Sequence, residues 1–312
     1  MGGLRPPILL VGTQDPRFDL GAAVREAGVR GKVALITAGW QERESEDSEL
    51  VEDLGGPVVN LRLHERADDV FARDRDLSDA YKKRQRQLRL LNDFYRIRLD
   101  HAFEAARAIS VRHVDEDLLD EERHVSVEEL RHLDRDHLER CVVRQVAFDA
   151  RWKPAQRPIV AEHRREIAKI LASSRAVVLA GGHVASLLNR MKLFGVVDLA
   201  AGLPWIAAAG GAMVLTERIF LFHDFPPHGT GIAEVFDVGF GLVKDVVVLP
   251  DPRRRIRLDD RQGIARFVQR IAPATCVAMD SGARLWVERG RVVRAFAHRL
   301  FQDGTVEPGW TG

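Results

Sequence analysis

Short apolar runs closed by glycine or small polar residues recur along this chain: Ile8-Leu9-Leu10-Val11 before Gly12, Lys32 to Ala38 before Gly39, Val58 to Leu63, Ala176 to Ala180 before Gly181, and Val246-Val247-Val248-Leu249 before Pro250. They are too short for helices and apolar on both faces, which predicts buried strands of a parallel sheet. Between the first three lie Phe18 to Ala27, a short helical or irregular connection, and Glu42 to Leu54, an acidic segment with helical potential that Gly55-Gly56-Pro57 stops. This β-α-β-α-β alternation implies right-handed crossovers and an α/β fold with a doubly wound, mostly parallel sheet and flanking helices. The stretch Pro204 to Phe222 compresses the same unit: an apolar run, the turn Ala209-Gly210-Gly211, and a segment from Ala212 to Ile219 whose composition favours helix. Near the C-terminus Thr275 to Asp280, Arg284 to Glu288 and Val292 to Phe296 are expected as consecutive strands, the last two joined at Arg289-Gly290.

From about residue 67 to 150 the pattern changes to long, charged and glycine-poor. Leu88, Leu91, Phe94-Tyr95, Ile97, Leu99 and Phe103 form an apolar stripe at helical spacing, the mark of an amphipathic helix. The cluster Lys82-Lys83-Arg84-Gln85-Arg86 is flanked by acidic residues and is expected on a solvated helix face, not on nucleic acid. A second helical region spans Val114 to Phe148, with Ser126 as a candidate N-cap. His113, His124, His132 and His137 lie among carboxylates without the spacing of a metal-ligand set, so they are expected at the surface and no metal is expected. This region is expected to serve as a lid, an oligomer interface or a partner surface, inserted within a single domain of residues 1–312.

Composition narrows the function classes. With 312 residues and 46% hydrophobic the chain can bury a large core, and a formal net charge of +1 gives no global pull toward nucleic acid or an acidic membrane. Cys141 and Cys276 lack CxxC spacing and are expected as buried, reduced thiols in a cytoplasmic protein. No run reaches the ~20 apolar residues of a membrane span, no signal peptide is recognisable, and no cofactor motif stands out.

Ligands of open α/β sheets bind outside the carboxyl ends of the strands, where Gly181-Gly182-His183, Ala209-Gly210-Gly211, Pro250-Asp251 and Asp280-Ser281 are expected to converge. The order and spacing of these segments resemble the serine peptidases that include cyanophycinase and aspartyl dipeptidase (peptidase E), which have a class I glutamine amidotransferase-like fold. In that family a strand ends in Gly-Gly-Asp/Asn-Gln, a second enters a Gly-x-Ser-Ala-Gly-Ala elbow, a third ends in Asp-x-His-Phe with arginines downstream, and a late strand gives Gly-Ile-Asp-Glu. Here Ala180 to His183 matches the first and Ala207 to Ala212 the second; Val248 to Pro252 with Arg255 and Arg257 matches the third, and Ala278 to Ser281 the fourth. The likeness is best from Ala176 to Val287, and the long helical stretch goes beyond the family's pattern.

Two departures alter what the resemblance implies. The family's nucleophilic serine falls on Ala209, and its general-base histidine falls on or beside Asp251. Alanine forms no acyl intermediate, and an aspartate shuttles no proton near neutral pH without a large pKa shift. The expectation is a catalytically degenerate, peptidase-like protein that binds a small anionic or peptide-like ligand, or a protein partner, in the former active-site crevice. Gly181, Gly182, Gly210, Gly211 and Arg255 are expected to line it beside His183, Asp251 and Asp280, with Gly211→Asp abolishing binding without unfolding. Three alternatives stand beside this. One is a hydrolase that uses relocated groups, among them His183, His223, Asp224, His228, Ser186 and Ser281; another makes the helical insert the interaction or homodimer module; in the third, Ala207 to Ala212 is no more than close helix-on-strand packing.

Overall fold

A computed structural model describes residues 6–15, 17–222 and 233–311. Strand β1 (Ile8–Val11) leads through helix α1 (Leu20–Glu26) to β2 (Val33–Ile36), and α2 (Ser48–Leu54) leads to β3 (Val58–Asn60). Four helices follow: α3 (Leu63–Arg73), the long α4 (Arg75–Ser110) and α5 (Glu116–Trp152), and α6 (Pro158–Ala172). The α/β alternation then resumes with β4 (Ala176–Leu179), α7 (Val184–Phe194), α8 (Val196–Leu199), β5 (Trp205–Ala208), α9 (Gly210–Leu215) and the ribbon β6 (Arg218–Leu221) and β7 (Glu234–Val238). The chain closes with β8 (Val246–Pro250), α10 (Pro252–Arg255), α11 (Arg261–Ile271), β9 (Thr275–Met279), β10 (Arg284–Glu288), β11 (Arg291–Leu300) and β12 (Val306–Thr311).

One sheet of ten strands in the order β3-β2-β4-β5-β1-β10-β11-β9-β8, with β12 on β11, forms the centre; β6 and β7 pair separately. The half from β3 to β1 is parallel throughout and β8 pairs parallel with β9, while β10, β11 and β12 add antiparallel pairings. This is a mixed, mostly parallel α/β sheet. The period of two decides the layers. Leu9, Val11, Leu35, Val178 and Ile206 face α1 and α2, whereas Ile8, Leu10, Ala34, Val177, Leu179 and Ala207 face α3, α6, α7 and α9.

At 36 and 37 residues, α4 and α5 are each about 55 Å long and pack side by side. Asp74 caps α4 by accepting from the Leu77 amide at 3.1 Å and is gripped twice by Arg157 at 2.6 Å, which holds its carboxyl below the ordinary range. A buried polar knot ties both helices to the body. Arg270 of α11, 1% exposed, donates to both oxygens of Asp134 at 2.8 and 2.6 Å; Tyr95 Oη donates to Asp134 Oδ1 at 2.7 Å and accepts from the Val235 amide at 3.1 Å. Burial pushes the Tyr95 phenol well above its usual range, so it remains a donor.

Several expectations are corrected. Arg84 is not on a solvated face but buried, between the rings of Tyr81 and Phe148, its guanidinium carbon 4.3 and 4.5 Å from their centroids. Likewise His137 is buried and stacked on Tyr95 at 4.3 Å, and burial lowers its pKa; His113, His124 and His132 are exposed. Ser126 lies inside α5, its hydroxyl donating to Glu122 O, and Asp115 caps that helix instead. The helix after the elbow stops at Leu215, and Arg218–Leu221 is a strand. Strands β7 and β12 had no counterpart among the expected elements. Among the described residues no helix is long and apolar enough to cross a membrane.

Candidate functional site

The elbow at the end of β5 has the geometry its sequence suggested. Ala209 adopts φ 48° and ψ −118°, a conformation that costs a non-glycine residue on the order of 1–3 kcal/mol. Its amide donates to Val11 O at 3.1 Å, which pins the apex to the end of β1. The neighbouring strand ends interlock with it backbone to backbone. A Cβ at Gly181 would stand 3.0 Å from the Ala209 methyl, and one at Gly211 would stand 2.7 Å from Leu179 O and 2.9 Å from Leu179 Cγ. No side chain fits at position 211 unless β4 shifts, so the expectation that Gly211→Asp leaves the fold intact is corrected. Replacing Ala209 with glycine should relieve the strained backbone and raise stability by about 1 kcal/mol, readable in urea unfolding.

His183 is exposed and is the N-cap of α7. Its Nδ1 accepts from the Ser186 amide at 3.2 Å and lies 2.9 Å from Ser186 Oγ. A ring nitrogen that accepts from an amide carries no proton, so the serine hydroxyl is the donor in the second bond and the imidazole N–H lies on Nε2. Gln41 Nε2 donates to the same Oγ at 2.7 Å, and Gln41 has φ 58° and ψ −125°, a second strained turn, in the connection after β2.

A second cluster gathers at the ends of β1, β8 and β9, around a cavity of about 260 Å³ lined by Thr13, Asp15, Asp251, Arg253, Arg254, Asp280 and Ser281. Asp251 sits in the left-handed region at φ 54°, a conformation that aspartate tolerates better than most residues. Three consecutive arginines of α10 each face a different carboxylate. Arg253 Nε lies 3.1 Å from Asp280, Arg254 Nη1 2.6 Å from Asp15, and Arg255 Nε 4.0 Å from Asp251. All three arginines are well exposed, so these pairs are weak and exchangeable. Thr13 Oγ1, by contrast, is buried with no hydrogen-bond partner among the described residues.

The predicted residues therefore fall into two adjoining groups. Gly181, Gly182, His183, Ala209, Gly210 and Gly211 meet at β4 and β5, while Asp251, Arg255, Asp280 and Ser281 meet at β8 and β9. The end of β1 joins them, since Val11 O holds the Ala209 amide and Gly12 packs on Asp280 O. Ser281 is exposed and has no hydrogen bond among the described residues. His223, Asp224 and His228 lie outside the described residues. Sequence reasoning does not single out Thr13, Asp15, Arg253 and Arg254, although each lies within four residues of a strand end, the signal that points to their neighbours.

No known protein family matches the chain, and no curated protein matches it. The solved structures with a similar chain path include two peptidase-type proteins. One is a peptidase from an acI-B1 actinobacterium, 13% identical, with a TM-score of 0.47 over 100% of this chain and 96% of its own. The other is a Listeria monocytogenes EGD-e protein provisionally assigned as a peptidase E, 12% identical, with a TM-score of 0.43 over 95% of this chain and 100% of its own. Both scores fall below 0.5, so what the site does rests on its own residues.

Proposed function

We propose that this is a peptidase-like protein of the class I glutamine amidotransferase-like fold that has lost its serine chemistry and binds a small anionic or peptide-like ligand at the strand-end crevice. The observation that carries the proposal is Ala209. The residue keeps the costly elbow conformation at the apex, yet presents a methyl group where the resembled family has its nucleophile. Close packing alone would favour glycine there, because glycine reaches the same φ without strain. The adjoining cavity supports binding: exposed arginine pairs can exchange a carboxylate partner for a ligand oxygen, and the Thr13 hydroxyl has no partner among the described residues. Two buried, unpaired thiols suit a cytoplasmic protein.

A second reading, favoured by the Ser186–His183 contact, is a hydrolase with relocated groups. One assay separates the two. Purified protein offered acidic dipeptides between pH 5 and 9 is expected to show no turnover; turnover that survives further purification and disappears in Ser186→Ala would replace the binding proposal with the hydrolase. The exposed stripe Leu90, Phe94 and Ile97 on α4, each at least half exposed, suits the insert to contact with a partner or a second copy.

A further inference from the structure

A cavity of about 520 Å³ lies between the helical insert and α7, and none of the arginines of α10 lines it. Asn189 anchors one end: its Oδ1 accepts from Arg84 Nη2 and Gln85 Nε2 at 2.8 Å each, and its main-chain oxygen accepts from Tyr81 Oη at 3.4 Å. From Tyr81 the wall follows α4 for about three turns, or about 16 Å, to Asn92 and Asp93. The opposite wall runs back along α7 to Ser186 and His183.

The two ends differ in what they lack. Behind the lining at Asn189, Arg84, 3% exposed, has only neutral hydrogen-bond partners among the described residues, Gln145 and Asn189, and its Nε has none among them. Arg190, in the lining beside Asn189, has a buried Nε without an acceptor. Neither arginine forms an ion pair among the described residues, whereas the buried Arg270 and Arg284 both face carboxylates. Buried charge is costly unless it is paired, so this end lacks a counter-charge. At the far end Asn92 Oδ1 is a buried acceptor with no donor among the described residues, and Asp93 is exposed with no ion pair among them, while the exposed Arg89 joins them in the lining. Leu88 and Phe236 supply apolar surface to the lining.

We infer that this cavity binds a short extended peptide with free termini, its carboxylate at Arg190 and its N–H donors toward Asn92 and Asp93. At about 3.3 Å per residue, 16 Å holds four or five residues. The cavity shares His183 and Ser186 with the candidate site, but none of the residues that line the crevice at Asp251 and Asp280. The insert thus becomes one wall of a binding site.

The test is equilibrium dialysis of the full chain against a random-sequence tetrapeptide library with free termini, and against the same library amidated at the C-terminus, with retained peptide measured by mass spectrometry. The free-terminus library is expected to be retained, and the amidated one at least tenfold less. Arg190→Gln should remove the difference between the libraries, and Leu88→Trp, which fills the cavity, should abolish retention; circular dichroism checks that both variants are folded. Equal retention of the two libraries, undiminished retention by Leu88→Trp, or no retention at all would overturn the inference. Retention lost in Arg253→Gln but kept in both cavity variants would also overturn it and would place the peptide in the crevice instead.

Discussion

Asp134→Ala is expected to lower the stability of the protein by about 3–5 kcal/mol, because it leaves the guanidinium of Arg270 buried without its counter-charge. The loss also reaches Tyr95, whose hydroxyl gives up an acceptor while it still receives Arg270 Nη2 at 2.9 Å and the Val235 amide at 3.1 Å. These bonds link α4 and α5 to α11 and the start of β7, so amide hydrogen exchange should accelerate first in the two long helices. Urea unfolding measures the total. The double variant Asp134→Leu, Arg270→Met removes both charges together and should recover most of the loss, since well-packed apolar residues replace buried ion pairs at little cost. A loss below about 1 kcal/mol in Asp134→Ala would mean that the knot is solvated and does not fasten the insert.

The second large effect is expected at Gly211. A Cβ there meets the Leu179 carbonyl oxygen at 2.7 Å and its side chain at 2.9 Å, both on β4 in the middle of the parallel half of the sheet. Gly211→Ala should cost at least the 1–3 kcal/mol typical of overpacking, and Gly211→Asp more, because a carboxylate is added to a site without room for water. Thermal denaturation followed by circular dichroism reads both. A folded Gly211→Asp protein with an unchanged midpoint would show that α9 moves away from β4 easily, and with it the elbow.

How far the sequence could be read differs between the two halves of the molecule, for physical reasons. The parallel strands were legible because a strand covered on both faces is written as an uninterrupted apolar run, and Val33–Ile36 or Ala176–Leu179 permits little else. The elbow was legible for a similar local reason, since small residues at Ala207 to Ala212 are required by backbones in contact. Arg84, Asp134, His137 and Arg270 were illegible as buried residues. Each looks like a solvated charge until its partner arrives from another element, as Arg270 does for Asp134 from the far side of the sequence. Strand β12 escaped for another reason: Pro308 and Gly309 interrupt an edge strand that pairs only with β11. The helix after the elbow was drawn too long because Thr216 to Ile219 has no strong breaker, and only the pairing of Arg218–Leu221 with β7 makes it extended. At the candidate site, the strand-end rule points to His183, Asp251 and Asp280, and the end of β1 brings Thr13 and Asp15 to the same cavity as Asp251 and Asp280.

The place of β1 between β5 and β10 has a consequence for how the chain is made. Both neighbours of Ile8 are distant, Trp205 by about 200 residues and Val287 by about 280. During synthesis at about 5–20 residues per second, the most apolar strand of the N-terminus therefore waits on the order of ten seconds or more for its first partner. The pairing of α4 with α5 is local and can form before that, but the knot that fastens the two helices waits for Arg270. Strand β1 is thus made well before either of its partners, and its seating between them brings Val11 to Ala209 and Gly12 to Asp280.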